Sequence, residues 1–440
     1  MSRIPYRWIV AFLLFVAYSI QYLDRVKTTV LNPAIMKDIG LTASGVGTGA
    51  MLMMIFYAPA QYISGVLTDK FGAKRILIFS VIAWSVMTAW MGFIKTPMEY
   101  FIRMGLFGLL IGTEYVPSAR VLMRWFNKSG RAKAQAMLSW AWILTPAWAS
   151  IVATQLAVYL GGWREVFFIT AAAGIIPLGL IWFFIFDRPE QYKRITQEEL
   201  EYSYQDELEE GILKKGEYKD TQAKILSQKK FTFFDLFKSR SYVAVIVVDV
   251  VMQIAFWGTL VWIPLYLSDV FKFKLATMGM WTALYFIAGA LGSFTSSYIS
   301  DKLFRNNRKV MILVCFIGLI PFILLLSSLK IADHVTLACA LCGMGFFANM
   351  AWGPFLAVPA EIFTPEVYGK AMGFVNGVGY FVAAFAAKIF GMLVIVHESG
   401  ARDYTPGWVF MSLCVVVGII GASFIKTYKK REEALQPARA

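Results

Sequence analysis

Apolar residues run in blocks of about twenty along most of the 440-residue chain, separated by short polar segments. Twelve such blocks can be read, near 8–33, 44–67, 75–94, 99–125, 132–160, 164–186, 242–266, 276–300, 309–328, 335–362, 370–396 and 407–427. A hydrocarbon core about 30 Å thick is crossed by about 20 helical residues. In lipid each backbone polar group must be satisfied within its own segment, so every block predicts a transmembrane helix. No period-two alternation appears, which excludes a β-barrel. The first block follows Arg3 and Arg7 and resembles a signal peptide at its start. It runs on past Asp24, Arg25 and Lys27 with no small-residue cleavage site, and so reads as a retained helix.

Composition agrees with the pattern. The chain is 58% hydrophobic and 16% charged, against about 45–50% and about 25% in soluble domains. The four cysteines (Cys315, Cys339, Cys342, Cys414) all lie inside apolar runs, which excludes a disulfide scaffold. The Cys339–Cys342 spacing has no second pair, so it does not predict a metal or redox site. The net charge of +14 is explained by where the basic residues fall. With the N-terminus inside, the short inner loops hold Lys70, Lys74 and Arg75, then Arg124, Lys128, Arg131 and Lys133, then Lys302, Arg305, Arg308 and Lys309. Each outer loop holds one or two cations. This bias places both termini in the cytoplasm, the chain in a cytoplasmic (cell inner) membrane, and needs no nucleic-acid partner.

The longest polar stretch separates six spans from six. The expected organisation is a six-helix bundle over 1–186, a cytoplasmic linker over 187–240, a second six-helix bundle over 241–428 and a tail over 429–440. The linker reads as solvated, with a capping box at Thr196–Glu199 opening a short surface helix. The Phe231–Phe237 stretch is a candidate for the inner membrane face. The halves repeat. Asp69 and Asp301 follow the second and eighth spans, 232 positions apart, and Lys133 and Lys370 lie in matching segments 237 apart. Two inverted or parallel helical repeats are the architecture of alternating-access carriers.

These residues resemble the major facilitator superfamily over essentially the whole chain. Its loop signature stands here as Gly65-Val66-Leu67-Thr68-Asp69-Lys70-Phe71-Gly72-Ala73-Lys74-Arg75. The resemblance implies an all-α membrane fold of twelve helices in two bundles. It also implies gating roles for Gly65, Asp69, Lys70, Gly72, Arg75 and Asp301, with the loop Asp docking on the N-terminus of helix eleven, where a helix carries about half a positive charge. Within the superfamily the chain is similar to the anion:cation symporters, on Tyr22-Leu23-Asp24-Arg25, on Glu114 with Pro117, and on Trp262–Leu267 ending span seven. That family carries galactonate, hexuronates, glucarate, phthalate and sialic acid. The resemblance further implies that Tyr57 lines a cavity and that Asn376 hydrogen-bonds substrate. The family's span-four Arg is replaced by Phe107, and Lys27 stands where the family often has Asn. Lys27 is therefore expected to supply the missing positive charge, to Asp24 or to the substrate. Asp249 stands where some members have Gln. Lys388 loosely resembles the helix-eleven Lys of oxalate–formate exchangers; the alternative is that it snorkels outward.

Six charges lie well inside spans: Asp24, Arg25, Lys27, Glu114, Asp249 and Lys388. Each costs about 2.5–3.5 kcal/mol at a helix centre, so they are expected to share a polar cavity and offset one another. On span one, Tyr18, Gln21, Arg25, Thr29 and Asn32 fall on one stripe with Asp24 on its flank. Arg25 is the expected anchor for a carboxylate, which a guanidinium binds bidentately; the alternative is a structural partner for Asp24. Glu114 is the first candidate to carry a proton and Asp24 the second; the alternative for Glu114 is a fixed hydrogen-bond partner. The substrate-binding set is thus Tyr22, Arg25, Lys27, Tyr57, Asp249, Asn376 and Lys388. The overall expectation is a monomeric importer of a small organic anion by proton symport, with an organic anion exchanger as alternative. No cofactor is expected. An enzyme would need a nucleophile, His or metal constellation among the spans, and the sequence offers none.

Overall fold

The computed structural model describes residues 4–209, 240–302, 307–329, 333–362 and 365–425. It is almost wholly helical. The helices are α1 (Tyr6–Val30), α2 (Asn32–Ile39), α3 (Ala43–Phe71), α4 (Ala73–Met91), α5 (Pro97–Ile111), α6 (Tyr115–Trp125), α7 (Lys128–Leu160), α8 (Trp163–Ala173) and α9 (Ile175–Phe184). After a 3-10 turn at Pro189–Gln191 come α10 (Gln197–Ser203) and α11 (Gln205–Glu209). The later helices are α12 (Arg240–Asp269), α13 (Leu275–Lys302), α14 (Arg308–Ser328), α15 (His334–Met350), α16 (Trp352–Ile362), α17 (Pro365–Leu393) and α18 (Thr405–Ser423). A two-stranded hairpin, β1 (Ile395–Val396) with β2 (Arg402–Asp403), joins the last two.

Among the described residues, eleven helical segments are long and apolar enough to cross a membrane. The span that falls short is the fourth. It is broken into α5 and α6 by a turn at Gly112–Glu114. The tenth span is broken too, at Ala351 between α15 and α16. Ala351 lies 237 positions after Glu114, the offset already seen between Lys133 and Lys370. The internal repeat thus extends to where its helices are interrupted.

A break inside a membrane strands carbonyls, and each must find a donor. In span four side chains supply two of them. Gln21 Nε2 donates to the Ile111 carbonyl at 2.7 Å. Ser64 Oγ donates to the Thr113 carbonyl at 2.6 Å. The Glu114 carbonyl resumes the helix, accepting from the Ser118 amide at 3.3 Å and from its Oγ at 2.9 Å. The residues that look out of place in apolar helices are those that satisfy the break.

The chain packs as two units. One holds 1–28, 56–146 and 159–228, and the other holds 29–55, 147–158 and 229–440. They do not coincide with the sequence halves, because one end of spans one, two and five packs with the second half. Where α3 and α7 pass from one unit to the other they carry Pro59 and Pro146. An interior proline removes a backbone hydrogen bond and loosens the helix there. In the second unit α2 packs on α12, and α12 packs along both α17 and α18. Arg402 and the Tyr404 hydroxyl both donate to Asp269 Oδ2, at 2.8 and 2.5 Å, and tie the hairpin to the end of α12. Burial, and then the Asp269 charge, push the Tyr404 phenol up.

The first unit corrects one expectation. The linker does not leave the bundle as a solvated segment; its start, over 189–209, is docked. The helix expected at the capping box forms, with Thr196 Oγ1 accepting from the Glu199 amide at 3.3 Å. The helix is then clamped. Tyr192 stacks on Tyr6 at 3.8 Å between ring centroids, and the Arg7 guanidinium lies 3.8 Å over the Tyr202 ring. Ser203 Oγ donates to the Trp125 carbonyl at 3.1 Å, and Asn127 Nδ2 donates to Gln205 Oε1 at 2.8 Å. Aromatic side chains outnumber what a solvated linker needs, and those rings are what dock. The Phe231–Phe237 stretch lies outside the described residues.

Candidate functional site

The first unit gathers four of the six membrane charges. Asp24, Arg25 and Lys27 come from the middle of α1, and Glu114 comes from the break in span four. None is more than 2% exposed. Lys27 Nζ donates to Asp24 Oδ1 in a buried ion pair. It also donates to Thr170 Oγ1 of α8 at 2.5 Å and lies over the Phe167 ring. The other Asp24 oxygen accepts from Thr88 Oγ1 at 2.8 Å. A buried pair is tolerable only when its remaining hydrogen-bond capacity is met, and the two threonines meet it.

With both Asp24 oxygens engaged elsewhere, Arg25 turns to aromatic neighbours. Its guanidinium lies 4.3 Å from the Tyr57 ring centroid and 5.1 Å from that of Tyr22. Tyr18 adds a further ring against Tyr22 and Tyr115. Glu114 accepts from Trp84 Nε1 at 2.9 Å through Oε2, and its Oε1 is buried with no partner among the described residues.

Sequence reading missed the helix that organises this site. Ser80, Trp84 and Thr88 recur every four residues along α4 and are all fully buried. They meet Thr113 Oγ1 at 2.7 Å, Glu114 and Asp24 in turn. The signal was present, since polar atoms at i, i+4 and i+8 share one helix face. Arg103 is engaged elsewhere, bonding Glu99 and the Trp90 carbonyl at the start of span four.

The second unit is sparser. Asp249 of α12 is 2% exposed, and its Oδ2 has no partner among the described residues. The carboxylate lies against the backbone of α17 at Gly379, where a Cβ would collide with Oδ2. One turn along α12, Gln253 Nε2 donates to Asn376 Oδ1 at 3.1 Å. Lys388 is partly exposed, further along α17, and its Cα backs onto Gly47. Asn349, beside the second break, bonds the Gly345 carbonyl at 3.0 Å. The structure therefore brings Tyr22, Asp24, Arg25, Lys27, Tyr57 and Glu114 together in one unit and Asp249 with Asn376 in the other.

Of the loop signature, Asp69 Oδ1 accepts from Arg120 of α6 at 2.8 Å. Lys70 lies over Phe71, and Arg75 is exposed. Gly72 has φ +88°, and a Cβ there would meet Asp187 Oδ2 at 2.7 Å. That carboxylate accepts from the Lys74 amide at 2.7 Å and so caps α4. The glycine is needed twice, for its backbone angle and for room. Gly65 lies within α3, and the Asp301 side chain lies outside the described residues.

The family model of the Major Facilitator Superfamily matches residues 9–387. The chain belongs to that superfamily. It is a multi-pass membrane transporter and not an enzyme. It is 27% identical to a probable sulfoacetate transporter of Cupriavidus necator, over 96% of this chain and 95% of the relative. It is 26% identical to a probable galactarate/D-glucarate transporter of Bacillus subtilis, over 97% and 94%. A D-galactonate transporter of Escherichia coli is 23% identical over 94% of both chains. The expected resemblance to organic-anion facilitators thus holds. Among solved structures, a bacterial homologue of the lysosomal transporter Spinster superposes with a TM-score of 0.73 at 16% identity, covering 96% of this chain and 97% of the other. A D-xylose–proton symporter superposes at 0.69 and 14%, covering 93% and 96%. These carry the twelve-helix, two-bundle fold.

Proposed function

We propose that this facilitator imports a small organic anion by proton symport, as a monomer in a cytoplasmic membrane with both termini inside. The observation that carries the reading is the division of labour on α1. Lys27 and Thr88 occupy Asp24, while Arg25 lies against the rings of Tyr22 and Tyr57. Phenols are neutral partners, which an incoming carboxylate or sulfonate joins or replaces through bidentate bonds. Lys27 is then the counter-charge of Asp24, and Arg25 is the anchor. In the second half, Asn376 and Lys388 are the groups that complete recognition.

Glu114 is the proposed proton carrier. Among the described residues its carboxyl is hydrogen-bonded only by the neutral Trp84 indole, so gain or loss of a proton rearranges one hydrogen bond rather than an ion pair. Asp24 follows when substrate draws on the neighbouring cations. A proton entering with an anion offsets a charge that the membrane potential opposes by about 2.3 kcal/mol per 100 mV. The loop residues Gly65, Asp69, Lys70, Gly72 and Arg75, with Asp301, are proposed to gate the cytoplasmic side. The named relatives point to sulfoacetate and aldarates as the first substrates to try.

The test is uptake into proteoliposomes of sulfoacetate, galactarate, glucarate and galactonate, with and without an inward proton gradient. Accumulation should follow the gradient. Glu114→Gln should keep counterflow of anion and lose gradient-driven accumulation, and Arg25→Gln should lose both. Full proton-driven uptake by Glu114→Gln would remove the proton assignment. Counterflow with no pH dependence in the parent protein would make the carrier an exchanger.

A further inference from the structure

Among the described residues, Asp249 is the buried acid to which the proposed transport cycle gives no proton role, although the sequence places it in the substrate-binding set. It sits mid-way along α12, and its Oδ2 is sealed from solvent. The α17 backbone at Gly379 closes over that oxygen, and Gln253, one turn along α12, is turned to Asn376. Among the described residues no cation pairs with it. From α17, Lys388 lies nine residues beyond Gly379, about 13 Å along the axis, and Tyr380 faces Trp257. The other helices packed on α12 carry Tyr285 (α13), Cys342 (α15), Cys414 (α18), and Lys37 with Asp38 (α2). None of these bonds or pairs with Asp249 among the described residues, and Tyr285 is engaged by Thr259 at 2.9 Å. The side chains of Lys370 and Glu361 lie outside the described residues.

A carboxylate so enclosed has no counter-charge and no donor for one oxygen, and an apolar surrounding makes that arrangement costly. A proton supplies what is missing. We propose that Asp249 is a proton-binding site of the second half, so that the carrier moves one proton more with each anion than the first half supplies and is suited to dianions. This rests on the proton-symport reading above. The charge arithmetic gives it sense. A dianion entering with a single proton still carries net negative charge inward, and a second proton cancels it. Sulfoacetate and the aldarates are dianions. Glu114 in the first half and Asp249 in the second then form a pair of acids without a contacting cation, one in each half.

Infrared spectroscopy of the purified full-length protein, recorded across a pH series, tests the site without any substrate. A carbonyl-stretch band of a protonated carboxyl should grow as pH falls, persist in Glu114→Gln and vanish in Asp249→Asn. Asp249→Gln serves as the second variant, should the Asn form fail to fold. In proteoliposomes with sulfoacetate as probe, the protons entering per anion should drop by about one in the Asp249 variants. A band pattern unchanged by Asp249→Asn, or an Asp249 band that does not move with pH, would overturn the site. A proton count unchanged in the Asp249 variants sinks the proposal and leaves symport standing. Uptake that moves no proton in any form, with the Asp249 band titrating, sinks the symport reading instead.

Discussion

Asp24 in the first half of this facilitator and Asp249 in the second are buried in opposite ways. In the first, both carboxylate oxygens of Asp24 have a donor, from Lys27 of α1 and Thr88 of α4, and Thr170 of α8 takes a further bond from Lys27. In the second, Asp249 has a glycine backbone beside it and one orphaned oxygen. Glu114 lies between, with one oxygen bonded and one not. The comparison teaches that burial alone does not define a role. A crowded acid keeps its charge until a neighbour is drawn away, while a lonely one changes it without that help.

The comparison is broken most sharply at Lys27. Lys27→Met strips the counter-charge from a buried carboxylate, and should cost about 3–5 kcal/mol. The protein should lose most of its thermal stability in detergent, and Asp24→Asn in the same chain should restore much of it. A smaller effect is expected at Trp84→Phe, which takes the last donor from Glu114 and should cost about 1–3 kcal/mol. Its distinguishing readout is a shifted pH profile of uptake, which a purely structural indole would not produce. Gly379→Ala sharpens the other side. The new methyl displaces the Asp249 carboxyl at a strain of about 1–3 kcal/mol, and Asp249→Ala should relieve it in a thermal-unfolding comparison of the double variant with the single. Smallest is Arg7→Ala, which removes a cation–aromatic contact worth about 0.5–1 kcal/mol. It should leave uptake intact and speed proteolysis within residues 189–209.

Much of this was legible in the sequence. Blocks of apolar residues gave the spans, because a membrane reads hydrophobic length directly. The charged positions were legible because a charge in such a block is conspicuous. What the sequence hid was pairing. Nothing along α1 says that Asp24 chooses Lys27 over its neighbour Arg25; that choice is made by Thr88 and Thr170 on two other helices. Trp84 was hidden because an indole in an apolar helix looks like packing until its N–H is seen to meet a carboxylate. The broken fourth span was hidden because its residues are apolar enough to read as continuous, and only the hydrogen bonds from Gln21 and Ser64 disclose the gap. The docked linker was misread because its charges outweighed its tyrosines in a purely compositional view.

The interruption of span four also bears on how the protein is made. A segment with a carboxyl at its centre and cations toward both ends is a poor passenger for the insertion machinery, at about 2.5–3.5 kcal/mol for each buried charge. Trp84 emerges from the ribosome earlier, in the preceding helix, and holds the indole that Glu114 needs. The expected consequence is that spans three and four enter the bilayer as a hairpin, the earlier helix shielding the later, an order that hydropathy alone would not impose.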